Sequence, residues 1–168
     1  MRDRVALEKE IRQLIDSGRE GAYWDFKRQH YHDKGDLLHD ILCMANNLQN
    51  RDAYIIIGVE DKTKQLWSVE GDPDRKTQQN LIDFVQRMPF YGQDKPDVEL
   101  YTFTIDGAVI DVILIANGER TPYFLAEPYK GILPYYVYTR KGDTNTPINQ
   151  YASVHDVEFL WKKRFGLV

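Results

Sequence analysis

Ala53-Tyr54-Ile55-Ile56-Ile57-Gly58-Val59-Glu60-Asp61 is a nearly continuous apolar run that closes on two acids. A strand that is apolar on both faces is covered on both, so the run predicts the central strand of a sheet over residues 53–60. Upstream, residues 22–29 alternate and predict a second strand. Trp24 and Phe26 then face the core, while Tyr23, Asp25 and Lys27 share the other face. Between the two strands, Leu38, Ile41, Leu42 and Ala45 return at helical spacing and predict a helix over 36–48. Ahead of both, Leu7, Ile11, Leu14 and Ile15 fall on one stripe, which predicts a helix over 4–17 with Gly18 as its stop.

Downstream, Lys62-Thr63-Lys64 reads as a turn and Leu66 to Val69 as a short returning strand. Asp72-Pro73 predicts a helix start, and Leu81, Ile82, Phe84 and Val85 carry that helix to about Met88, before Pro89. Asp106-Gly107 between Val98–Thr104 and Ala108–Ile115 is a two-residue hairpin signal. Two more strands are expected over Tyr123–Leu125 and Tyr135–Thr139. A last helix is capped by Ser153 with Asp156 and runs to about Arg164, with Val157, Leu160 and Trp161 inward. Helices and hairpins mix without a regular βαβ period. The expectation is an α+β fold: one domain over 1–168, with a mixed, mostly antiparallel sheet flanked by about four helices.

A chain of 168 residues buries a core without staples, and one cysteine, Cys43, allows no internal disulfide and no cysteine-based zinc site. Cys43 lies among apolar helix residues and is expected to be a buried, inert thiol. The longest apolar runs fall far short of the roughly 20 residues of a membrane span, and Met1-Arg2-Asp3-Arg4 opens no signal segment. A cytoplasmic, soluble protein is expected. The net charge of −4 argues against broad electrostatic binding of nucleic acid, but not against a local basic groove. No Gly-x-Ser-x-Gly elbow, Walker A or Gly-x-Gly-x-x-Gly spacing is present, and the His30-x-His32 pair lacks a third ligand nearby.

The chemistry-bearing residues are three acids: Glu20, Asp25 and Asp61. Three carboxylates suit a hard divalent cation, and Lys27 beside them suits a phosphate. Spacing alone does not join them, because positions five apart face opposite ways on a strand. Gly21 offers a turn that would bring Glu20 back over the face of Asp25. The plainer reading makes Glu20 a solvated loop acid, pairs Asp25 with Lys27, and leaves Asp61 as ordinary turn chemistry.

Three blocks in order carry a resemblance. They are Glu20-x4-Asp25-Phe26-Lys27-Arg28, the helix end Met44-Ala45-Asn46-Asn47 followed by Tyr54 to Lys62, and the closing stretch Pro134 to Pro147 with Arg140-Lys141-Gly142-Asp143-Thr144. Together they resemble the Schlafen AlbA-like domain family over about residues 7–162. The resemblance implies a metal-dependent endoribonuclease acting on structured RNA of the tRNA or rRNA class. Glu20, Asp25 and Asp61 would hold Mg²⁺ or Mn²⁺, with Asp61 preferred to Glu60 by alignment. Lys27 would neutralise a phosphate oxygen, and Arg28, Lys62, Lys64, Arg140 and Lys141 would contact the nucleic-acid backbone. Asp25 stands where the family usually has Glu, a reach shorter by one methylene. Long Schlafens clasp RNA between two lobes; this chain has residues for one, and a homodimer would rebuild the groove. The alternative is a non-catalytic regulatory module that binds nucleic acid or a nucleotide such as ATP.

Overall fold

The computed structural model describes residues 2–168. Chain order is α1 (Arg4–Asp16), β1 (Trp24–Lys27), α2 (Lys34–Ala45), β2 (Ala53–Ile57), α3 (Gln78–Arg87), a 3₁₀ turn (Tyr91–Gln93), β3 (Val98–Ile105), β4 (Ala108–Ile115), β5 (Arg140–Lys141), β6 (Thr144–Asn145) and α4 (Val154–Arg164). Four strands form a mixed sheet in the order β1-β2-β4-β3, and β5-β6 is a separate small hairpin. The fold is therefore α+β, with four α-helices among the described residues. β1 and β2 run parallel, with Asp25 opposite Ile55, and α2 supplies the crossover such a pair needs. β2 and β3 each run antiparallel to β4.

Side-chain alternation splits the core across the sheet. Tyr54 and Ile56 point to the layer that holds Trp24, Phe26 and the α1 stripe Leu7, Ile11, Leu14 and Ile15. Ile55 and Ile57 point to the layer that holds α2 and the α3 residues Leu81, Phe84 and Val85. All five residues of β2 are buried, as a strand covered by helices on both faces must be. The Asp106-Gly107 hairpin forms with both residues at positive φ, 48° and 81°, which matches the right-handed twist of its strands. No helix among the described residues is long and apolar enough to cross a membrane.

Several expected elements differ. α3 starts at Gln78, not at Asp72-Pro73. The Asp72 carboxylate accepts from the His30 N–H (2.8 Å) and the Asp74 N–H (2.9 Å), and Thr77 caps α3 instead, in a reciprocal box with Asn80. Leu66–Val69 makes only a bridge from Leu66 to Val59. Tyr123–Leu125 and Tyr135–Thr139 are not strands, because the fully buried Asn46 takes backbone groups a ladder would use. Its amide donates to the Tyr123 carbonyl (2.8 Å) and the Tyr138 carbonyl (3.0 Å), and its oxygen accepts from the Tyr123 N–H (2.8 Å). The β5-β6 hairpin lies in the closing stretch Pro134 to Pro147, past the strand expected over Tyr135–Thr139. On α4, Leu160 is buried and Val157 half-buried, but Trp161 is exposed.

Candidate functional site: a carboxylate cluster beside β1

The site begins with the pleat of β1. Trp24 and Phe26 enter the α1 layer, so Asp25 and Lys27 turn to the opposite face, toward α2. Asp25 is only 5% exposed there. Glu20 reaches the same face because it is not part of the strand. The Trp24 indole N–H donates to the Arg19 carbonyl (2.8 Å), and the Gly21 N–H donates to the Trp24 carbonyl (3.2 Å). This turn folds residues 19–21 back over the start of β1. Gly21 serves it by having no side chain: a Cβ would sit 2.1 Å from an atom of the Trp24 ring.

Asp61 arrives from the end of β2. The Gly58 and Val59 N–H groups both donate to the Lys27 carbonyl, at 2.7 and 3.0 Å, and tie that exit to β1. Gly58 has φ of 111° and lies against the Trp67 carbonyl, so no other residue fits. The next two acids divide their roles. Glu60 accepts from the Thr63 N–H (2.6 Å) and hydroxyl (2.9 Å) and builds the turn. Asp61 is exposed, pairs with Lys64 at 3.4 Å, and lies beside Glu20, whose proton lowers its pKa.

Glu20 therefore stands between Asp25 and Asp61. Burial, hydrogen bonds shared with both, and their charge push its pKa up to about 9, so Glu20 is a protonated acid at neutral pH. The proton it donates holds the Asp61 pKa down. Among the described residues, no three acidic, His or Cys side chains already surround one point as metal ligands do. The three acids form a row with Glu20 in the middle.

Two cations and a fourth acid complete the cluster. Lys27 Nζ lies 3.3 Å from Asp25 and 3.3 Å from Asp40 of α2. Burial alone would lower the Lys27 pKa, but the charges of Asp40 and Asp25 outweigh it and the net shift is upward. Asp40 also accepts from the Tyr31 hydroxyl (2.5 Å) and the Asn145 amide (2.9 Å). Sequence reasoning missed Asp40; the available signal was one acid on the apolar stretch Leu37 to Ala45. Lys27, Tyr31, Asp36, His39 and Asp40 line a cavity of about 320 Å³ against the cluster.

Arg140, expected among the backbone-contacting cations, is 2% exposed. Its guanidinium donates to the Gly21 carbonyl (2.8 Å), the Trp24 carbonyl (3.0 Å) and the Asn145 amide oxygen (2.9 Å). It also lies 3.4 Å from Glu20 and 3.7 Å from Asp25. Every face of this cation is spent inside the protein. Arg28 is exposed over the Trp67 ring at 4.0 Å, Lys62 is exposed, and Lys141 is exposed 3.7 Å from Asp156.

An α+β domain with a row of carboxylates at the parallel edge of its sheet defines the class. A family model described as Schlafen, AlbA_2 matches residues 20–149, most of the chain, and the chain belongs to that family. The fold is similar to that of the DIP2311 protein from Corynebacterium diphtheriae, at a TM-score of 0.52 and 21% identity. The likeness covers 86% of this chain and 26% of that one, so this chain spans about a quarter of the other's length. No curated protein matches.

Proposed function

We propose that the chain is a metal-dependent endoribonuclease for structured RNA such as tRNA, with Glu20, Asp25 and Asp61 as the ligands of Mg²⁺ or Mn²⁺. The observation that carries this reading is the turn at Gly21, which brings Glu20 onto the face of Asp25 and beside Asp61, where its pKa is raised to about 9. Carboxylate oxygens gather there from the turn before β1, from β1 and from the end of β2, and a hard divalent ion is the partner that oxygen-only donors select. When bound, such an ion supplies an activated water and neutralises charge on the phosphate.

The protein's own residues do the remaining work. Glu20 would release its proton to solvent in order to hold the ion. Lys27, held between Asp25 and Asp40, presents a positive charge beside the cavity and receives a phosphate oxygen. Arg28, Lys62, Lys64 and Lys141 contact the RNA backbone and set its register without reading sequence.

The test is cleavage of a tRNA pool with Mg²⁺, Mn²⁺ or EDTA. Wild type should cut only with metal, and Glu20→Gln and Asp61→Ala should each lower the rate by about 100-fold or more. Cleavage that survives both substitutions overturns the reading. One observation favours a second reading: Arg140 already sits between Glu20 and Asp25 as their counter-ion. In that case the cluster is a structural joint and the chain binds nucleic acid without cutting it. RNA binding that falls steeply with salt, with no cleavage under any ion, would select this alternative.

A further inference from the structure

A second cavity, of about 420 Å³, opens between the start of α2 and the exposed face of α3, and it shares no lining residue with the carboxylate cluster. Four cations line it: Lys34, Arg75, Lys76 and Arg87. Asp74 is the one acid of its lining, and that carboxylate already faces the His32 imidazole at 3.2 Å. In a chain whose net charge is −4, this is a local excess of positive charge.

The donors are only partly spent, and Arg87 uses Nε on the Asp83 carbonyl (3.2 Å). Lys34 and Arg87 make no ion pair with the described residues. Lys76 Nζ donates to two backbone carbonyls, of Tyr31 (2.9 Å) and Asp74 (3.0 Å), and keeps a third N–H. Arg75 is held as a fixed fork: its Nε and Nη2 donate to the two Asp111 oxygens at 2.9 and 3.1 Å. Asp111 is fully buried and is itself locked by His30 (2.8 Å) and Thr102 (2.6 Å). That arrangement leaves Nη1 of Arg75 free with its direction set. On the apolar side, Phe84 and Tyr129 meet edge to face at 6.2 Å, beside Met88.

We propose that this cavity is a binding site for a nucleoside phosphate. The phosphates would lie on Lys34, Arg75, Lys76 and Arg87, and the base against the partly buried Tyr129 and Met88, beside the buried Phe84 ring. A volume of about 420 Å³ falls in the range of small-molecule sites, and Lys34, Lys76 and Arg87, which have no carboxylate partner among the described residues, gather like charges that a multivalent anion relieves. The apolar edge distinguishes a nucleoside phosphate from a bare phosphate. The site is independent of the carboxylate cluster, so it stands or falls apart from the nuclease reading.

The test is calorimetric titration of the whole chain with ADP and, separately, with inorganic phosphate, in low salt and EDTA. ADP should bind saturably at one site and about tenfold or more tighter than phosphate. Lys34→Ala and Arg87→Ala, both surface changes, should each weaken ADP by about tenfold with no change in melting temperature. Glu20→Gln should leave ADP binding as it was. The proposal is overturned by any of four results: no saturable ADP binding at millimolar concentration, equal affinity for phosphate, affinity unchanged in both cation variants, or displacement of ADP by an RNA oligonucleotide without terminal phosphates.

Discussion

Glu20 is an acid that the fold keeps protonated, and that has two measurable consequences. If the cluster takes a divalent ion as proposed, the ion has to displace this proton, so Mn²⁺ affinity should rise as pH climbs from 7 to about 9, and Glu20→Gln should flatten the profile; Mn²⁺ titration at stepped pH reads both. Its folded pKa lies above its ordinary value of 4.5, so the unfolded chain releases this proton first. Stability from this group is therefore lost as pH rises from about 4.5 to about 9, and Glu20→Gln should be more stable than wild type at pH 8 by urea denaturation. Its neighbour Gly21 makes a steric demand. Gly21→Ala should cost about 1–3 kcal/mol and displace the indole, seen as a shift in Trp fluorescence. At this scale the sequence displayed the three acids and the need for a turn at Gly21, but not the turn's cause, which is the ring of Trp24 folding back. Asp40 was illegible because its partners Lys27, Tyr31 and Asn145 come from three other segments.

Among the elements, the β5-β6 hairpin joins the rest of the site through one side chain. Arg140→Ala leaves Asp25 without one of its two cations and the Gly21 carbonyl and Asn145 amide oxygen without a donor. The expected cost is roughly 3–5 kcal/mol, read by denaturation, with Arg140→Lys recovering only part because an ammonium cannot match the fork. Periodicity made α1, β2 and the β3-β4 hairpin readable from the chain, since each is patterned by one buried face. The same logic misread Tyr123–Leu125 and Tyr135–Thr139, whose apolar residues are buried but whose backbone is held by Asn46. It also passed over β5 and β6, two polar residues each, which carry no alternation.

Across the whole molecule, the most deeply buried carboxylate of the sheet is Asp111, on β4. Burial alone would raise its pKa, but bonds from His30, Arg75 and Thr102 outweigh it and hold the value at about 2. The folded pKa is below the ordinary 3.8, so its contribution is present above about pH 4 and is lost as pH falls toward about 2. Asp111→Asn should remove that acid-sensitive portion, so that its stability changes less than that of wild type between pH 4 and 2, measured by circular dichroism.

Arg140 lies 119 positions from Gly21 and 116 from Trp24, the groups it binds. A growing chain thus carries Glu20 and Asp25 for more than 110 residues before Arg140, which joins their turn, is made. The cluster closes as a late event of folding, by a contact among the most distant in sequence. Any product that stops short of residue 140 has the acidic residues of the site but not its assembled form.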